Sequence, residues 1–202
     1  MGNDLTTQDK QRIEASVRGK YLKVAASPEG LFRYPTGRAG LEALGYDPDI
    51  VRGLPEPVAA SYCGVGNPFT LGPIGEGEAV LDIGCGAGVD SIIAAKLAGP
   101  SGSVTGIDLV PEMLARAREN ARLAGVDNVS FQESSAEQLP FPDNSFDVVI
   151  SNGVFNLVVD KYKALSEVFR VLKPGGRFRL TDQVLAGELP QETKARVENW
   201  AR

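Results

Sequence analysis

From Glu78 onward the chain alternates short apolar runs with stretches of helical periodicity, and this alternation restricts the possible folds more than any other feature. Ala79-Val80-Leu81-Asp82-Ile83 predicts a first strand, after which Val89, Ile92, Ile93 and Leu97 share one face of a helix stopped by Gly99-Pro100. Ser103 to Asp108 predicts a second strand. Pro111 then opens a helix with Leu114, Ala117, Ala121 and Ala124 on one face and Gly125 as its stop. Val129 and Phe131 alternate in a third strand, and Phe146 to Ser151 forms a fourth. Leu165, Val168, Phe169 and Leu172 line a helix ending at Pro174-Gly175-Gly176, and Phe178 and Leu180 mark a fifth strand. Strands that alternate with helices need crossover connections, so the expected class is α/β: an open, doubly wound, mostly parallel sheet covered on both faces.

The first part of the chain reads differently. Ile13, Val17, Tyr21 and Val24 recur at helical spacing between Thr7 and Ala25, which predicts an amphipathic helix lying against another element. Ser27 to Glu76 is rich in Gly and Pro and predicts short helices and loops. The expected organisation is a helical cap over residues 1–75 and an α/β domain over 76–202. Beyond the fifth strand, Gly187 to Arg202 reads as one more helix with Pro190 near its start, and nothing strand-like follows. The sheet edge would then be exposed, so we expect either a homodimer or a chain that is part of a longer protein.

Composition excludes several function classes. A net charge of -5 offers no general basic surface for phosphate backbones, so nucleic acid is not expected as a partner. No apolar run approaches the roughly 20 residues that span a bilayer, and residues 1–18 lack the apolar centre of a secretory signal. Two cysteines do not make a disulfide framework, and a cytoplasmic location is expected. Histidine is absent, which removes Ser-His-Asp and Cys-His catalysis, imidazole metal sites and a histidine base. No metal site is expected, and any general base would be an Asp, Glu or Tyr.

The turn after the first strand is Gly84-Cys85-Gly86-Ala87-Gly88, preceded by Asp82. Glycine there admits positive φ and a close ligand approach, and the following helix presents free N–H groups. Asp108 ends the next strand, about 20 residues on, where a carboxylate accepts from a ribose hydroxyl pair. Together they point to an adenosine-type cofactor. A nicotinamide enzyme would want G-x-G-x-x-G, with the last glycine where Val89 stands.

Val80 to Gly88, Gly106-Ile107-Asp108, Ala136 to Phe141, Phe146 to Ser151 and Val171 to Gly176 resemble, in order, the motifs of class I S-adenosylmethionine-dependent methyltransferases. The resemblance covers about Glu76 to Asp182. It implies S-adenosylmethionine as cofactor, with the methionine moiety near Asp82, Gly84 and Gly86 and the ribose hydroxyls at Asp108. It also implies adenine between Leu109 and Met113, with Ser135 and Ala136 at its polar edge. Asn152 would face cofactor and acceptor, and Cys85, Gly88 and Glu137 complete the implied cofactor set. Many relatives are acidic at the position of Ser135.

Two narrower resemblances concern the acceptor, expected to be a small molecule. Gly45-Tyr46-Asp47, Gly64 to Pro68 and Ser151 to Leu157 are similar to segments of arsenite methyltransferases. That family holds trivalent arsenic on thiolates, and its cysteines stand where this chain has Val65 and Gly153. Cys63 alone cannot supply a multi-thiolate site. Leu139 to Asp147 and Lys161 to Gly176 are similar to quinone-type carbon methyltransferases, but those segments are shared widely in the class. Tyr21 and Tyr62 are candidates for covering the cofactor. A rival of another class is a non-catalytic module that binds S-adenosylmethionine.

Overall fold

The structure, a computed structural model, describes residues 5–184 and residue 200; apart from Trp200, the helix expected over Gly187 to Arg202 lies outside the described residues. Four helices open the chain: α1 (Thr7–Ala26), α2 (Gly37–Ala43), α3 (Pro48–Arg52) and α4 (Glu56–Ala60), followed by a 3-10 turn at Pro68–Leu71. Thr6 and Asp9 start α1 with reciprocal capping bonds: Asp9 N donates to Thr6 Oγ1 at 3.2 Å, and Thr6 N donates to the Asp9 carboxylate at 3.0 Å.

Strands β1 (Ala79–Ile83), β2 (Ser103–Asp108), β3 (Val129–Glu133), β4 (Phe146–Asn152) and β5 (Leu172–Thr181) form one sheet. They alternate with α5 (Val89–Ala98), α6 (Pro111–Ala124) and α7 (Lys161–Val171). The sheet order is β3-β2-β1-β4-β5, and every pairing is parallel. The order reverses between β1 and β2 on one side and β4 on the other, where a doubly wound sheet opens a crevice. Ile83 pairs with both Ile107 and Ser151, so Asp108 and Asn152 emerge together at the carboxyl end.

Alternation along β1 divides the core. Leu81 and Ile83 pack with Ile107, Val149, Ala164, Val168 and Val171 on the α7 side. Val80 packs with Ala94, Ala95, Ala98, Val104, Val148 and Ile150 on the α5 side. A third cluster joins Val89, Ile92 and Ile93 of α5 to Leu41, Val51, Leu54 and Val58 of the cap, so cap and sheet share one core.

Two expectations about helix faces need correction. In α5 nearly every side chain is buried, Asp90 and Ser91 included, while Leu97 is exposed. The helix is sandwiched between sheet and cap, so a one-sided stripe is the wrong template. In α7 the buried residues are Ala164, Val168 and Val171, whereas Phe169 is 83% exposed and Leu165 also faces out. The helix ends at Val171. Leu172 already pairs with Phe146 in β5 with extended backbone, and Pro174 disfavours the helical region for Lys173 after it. Along β5, Leu180 is exposed and Phe178 half-buried, while Arg179 is buried and donates to the carbonyls of Gly72 and Pro73. Among the described residues β5 pairs on one side only.

Candidate functional site

A cleft with a void of about 1180 Å³, open mouth included, lies at the carboxyl ends of β1, β2 and β4. Its floor is the turn between β1 and α5. Gly84 there has φ +70°, and a Cβ on it would stand 2.2 Å from Val154 Cγ2, so only glycine fits. Gly86 has φ +53°, and its amide donates to Asp108 Oδ2 at 2.9 Å. Asp108 Oδ1 accepts from Val110 N, also at 2.9 Å, and the carboxylate thus ties the loop to β2. Burial raises the Asp108 carboxyl above its ordinary range, against the pull of these backbone donors.

Of the residues expected to hold a cofactor, Asp82, Gly84, Cys85, Gly86, Asp108, Leu109, Met113, Ser135, Ala136, Glu137 and Asn152 all line this cleft. Gly88 stands behind it and caps α5 with φ +80°; a Cβ there would meet Ala117 and Phe131. Met113 is both core and cleft wall, clustered with Val24 and Val110. Ser135 Oγ accepts from Glu137 N at 3.1 Å, and the Glu137 carboxylate accepts from Asp160 N at 2.9 Å. Cys85 is buried against Gly106, and burial raises its thiol well above the usual range, which suits packing and not nucleophilic work. Burial likewise pushes the half-buried Cys63 thiol up to about 12.

The cap forms the rest of the wall. Ile13, Glu14, Val17 and Tyr21 of α1 roof one end, and Tyr62, Cys63 and Gly64 close another, so both tyrosines expected to cover the cofactor reach the cleft. Leu157 and Val158 line the wall beyond β4, where Trp200 Nε1 donates to Leu157 O at 2.9 Å.

Asp90 was not foreseen. It is 8% exposed, lines the cleft, and accepts from Tyr46 Oη at 2.7 Å and from Asn152 Nδ2 at 2.9 Å. Asn152 Nδ2 also donates to Gly66 O at 2.8 Å, and Asn152 Oδ1 accepts from Val65 N at 2.9 Å and Gly66 N at 3.0 Å. This one amide fastens the 64–66 loop to the tip of β4. As a result Val65 faces Gly153, and a Cβ on Gly153 would lie 3.8 Å from Val65 Cβ.

Five carboxylates line the cleft (Glu14, Asp82, Asp90, Asp108 and Glu137), with no Lys or Arg among the described lining residues. Burial, then the neighbouring Asp90 carboxylate, pushes Asp82 up to about 8, although Ser91 Oγ donates to it at 2.5 Å. Burial pushes Asp90 up to about 6, against its two donors. Both lie above an unfolded carboxylate, so the native state holds these protons more tightly than the unfolded chain. Their contribution to stability is full below about pH 4 and is lost as pH rises through 6 and 8. The melting temperature of the ligand-free protein should therefore fall between pH 5 and 8.5, and Asp82→Asn should flatten the slope. A melting temperature that rises over this window would refute the assignment.

The chemistry of this donor set fits a cationic adenosyl ligand. The paired oxygens of Asp108 suit a diol, Leu109 and Met113 suit a flat apolar ring, and cation-free carboxylates suit positive charge. The parallel sheet, the glycine turn and the carboxylate ending β2 define the class I S-adenosylmethionine-dependent methyltransferase fold. A family profile described as "Methyltransferase domain" matches residues 74–202. The chain belongs to that family, close to its arsenite methyltransferase group. It is 35% identical over 212 residues to an arsenite methyltransferase of Halobacterium salinarum, covering 96% of this chain and 54% of the relative. The crystal structure of an arsenic(III) S-adenosylmethionine methyltransferase from Chlamydomonas reinhardtii superposes with a TM-score of 0.61 at 36% identity, over 80% of this chain and 54% of that one. A ubiquinone/menaquinone biosynthesis C-methyltransferase of Pasteurella multocida is 50% identical over 104 residues, 50% of this chain and 38% of the relative. The chain spans about half the length of the arsenite methyltransferases it matches. No helix among the described residues is long and apolar enough to cross a membrane.

Proposed function

We propose that this chain binds S-adenosylmethionine in the cleft and transfers its methyl group to a neutral small molecule, without a multi-thiolate arsenic site. The observation that carries the reading is the glycine turn held by Asp108 at the floor of an acidic cleft with no Lys or Arg among its described lining residues. When bound, the cofactor supplies an electrophilic methyl carbon on a sulfonium. In this reading Asp108 holds the ribose hydroxyls and the backbone at Gly84 and Gly86 lies along the methionine moiety. Leu109, Met113, Ser135 and Ala136 surround the adenine.

The protein's remaining task is to align the acceptor and keep water out, since displacement at a sulfonium needs little else. Tyr21, Cys63, Gly153, Val154 and Leu157 give that part of the wall an apolar character. An anionic acceptor would meet, among the charged groups of the described cleft lining, only carboxylates. A quinol, the second reading favoured by the likeness to quinone methyltransferases, is also neutral and apolar.

Isotope-labelled S-adenosylmethionine added with the protein to a cell extract should yield a labelled neutral metabolite. Binding without any labelled product would favour a non-catalytic module, and no binding would sink the proposal. The arsenic part has its own test. The pairing of Val65 with Gly153 lies within the Cβ separation of adjacent thiols, so Val65→Cys with Gly153→Cys should create a dithiol that captures phenylarsine oxide. The left-handed backbone at Gly153 should cost the double variant about 1–2 kcal/mol of stability. Equal capture by the unsubstituted chain would show that it already holds an arsenic site.

A further inference from the structure

Asp90 is the buried cleft carboxylate for which neither the glycine turn nor ribose binding accounts. Its surroundings can be assigned proton by proton. Tyr46 Oη donates to Asp90 Oδ1, Asn152 Nδ2 donates to Asp90 Oδ2 and to Gly66 O, and Tyr62 Oη donates to Gly66 O at 2.8 Å. With Asp90 ionised both of its oxygens accept a hydrogen bond, and Tyr46 Oη also lies 3.1 Å from Gly66 O and from Tyr62 Oη. The titratable groups around it are Tyr46 and Tyr62 from the cap, Cys63 beside them, and Asp82 and Asp108 from β1 and β2. Lys20 acts on Cys63 and Arg18 on Asp108, but no cation acts on Asp90 itself. A buried carboxylate with two neutral donors and no cation is stabilised most by a cation arriving in the cleft.

We propose that Asp90, held beside Asn152 at the tip of β4, lies against the sulfur and not the amino group of the adenosyl ligand, so that the cleft holds the sulfonium cofactor more tightly than the thioether left when the methyl group is lost. This rests on the reading that the cleft binds S-adenosylmethionine. The electron balance is simple: the methyl–sulfur bond breaks, its electron pair stays on sulfur, and one positive charge leaves the cleft with the methyl group. The acceptor gains that carbon and, if protic, releases a proton to solvent. Asp90 then faces an uncharged sulfur and no longer favours retention, so the spent cofactor leaves and fresh cofactor competes well. Asp82 is less suited to this role, because its higher proton affinity leaves it largely protonated at neutral pH.

The test is calorimetric titration at pH 7.5 with S-adenosylmethionine, S-adenosylhomocysteine and sinefungin, whose amine places a positive charge near the site of the lost sulfonium. The unsubstituted protein should bind the two cationic ligands about tenfold more tightly than S-adenosylhomocysteine, and Asp90→Asn should bring the three to within about threefold. The amide of Asp90→Asn can still accept from Asn152 and donate to Tyr46 Oη, which keeps the fold. Tyr62→Phe disturbs the same network without touching Asp90 and should preserve the preference. S-Adenosylhomocysteine binding as tightly as the cations would overturn charge selection while leaving the cofactor reading intact, as would an unchanged preference in Asp90→Asn. If none of the three ligands binds, the cofactor reading itself fails.

Discussion

Asp108→Ala should weaken S-adenosylmethionine binding by about 100-fold, the loss expected when two hydrogen bonds to a charged acceptor disappear together. The effect has two sources. The carboxylate is the expected acceptor for the ribose hydroxyls, and it also holds the amides of Gly86 and Val110. Asp108→Asn separates them, since its one remaining acceptor can serve the backbone or the ribose but not both fully, and it should fall between alanine and the native residue. Calorimetry reads the affinities, and an unchanged circular dichroism spectrum shows that the sheet survives. Binding within a fewfold of native in Asp108→Ala would remove this residue from the cofactor site.

Asn152→Ala should cost about 3–5 kcal/mol in chemical denaturation, because buried donors and acceptors lose their partners at once. The amides of Val65 and Gly66 lose their acceptor, and Asp90 loses one of its two side-chain donors. Asn152 was expected to face cofactor and acceptor. It does line the cleft, but both ends of its amide are committed to the protein. The variant should therefore loosen the 64–66 loop and raise the proton affinity of Asp90 further. A loss below about 1 kcal/mol would mean that water replaces these bonds readily.

The fold was legible where the signal is local. β1 and β2 follow from apolar runs bounded by turn residues, and the parallel pairing that puts Asp108 at the same end of the sheet as the glycine turn follows from the alternation of strands and helices. The faces of α5 and α7 were not. A helix buried on two sides, as α5 is, loses the one-sided pattern by which a face is assigned. In α7, Leu165 and Phe169 carry the apolar signal but Ala164 and Val171 sit in the core, and size alone does not show which way a side chain points. The same contrast holds in the site. The glycine turn and Asp108 announce themselves through spacing, whereas the Asp90 network joins Tyr46 and Asn152 across separations of 44 and 62 residues. The available signal was Asp90 itself, a carboxylate in a helix whose only other charged residue is Lys96.

Helix α1 roofs one end of the cleft, buries Ile13 and Val24 fully and Tyr21 and Ala25 in part, and carries its own capping box. Seating the two fully buried side chains is worth about 3–6 kcal/mol, and Tyr21 and Ala25 add to it. The cleft is thus bounded below by the sheet and its glycine turn and above by a single helix seated on a small cluster. Releasing that helix would open the roofed end of the cleft without any rearrangement of the sheet.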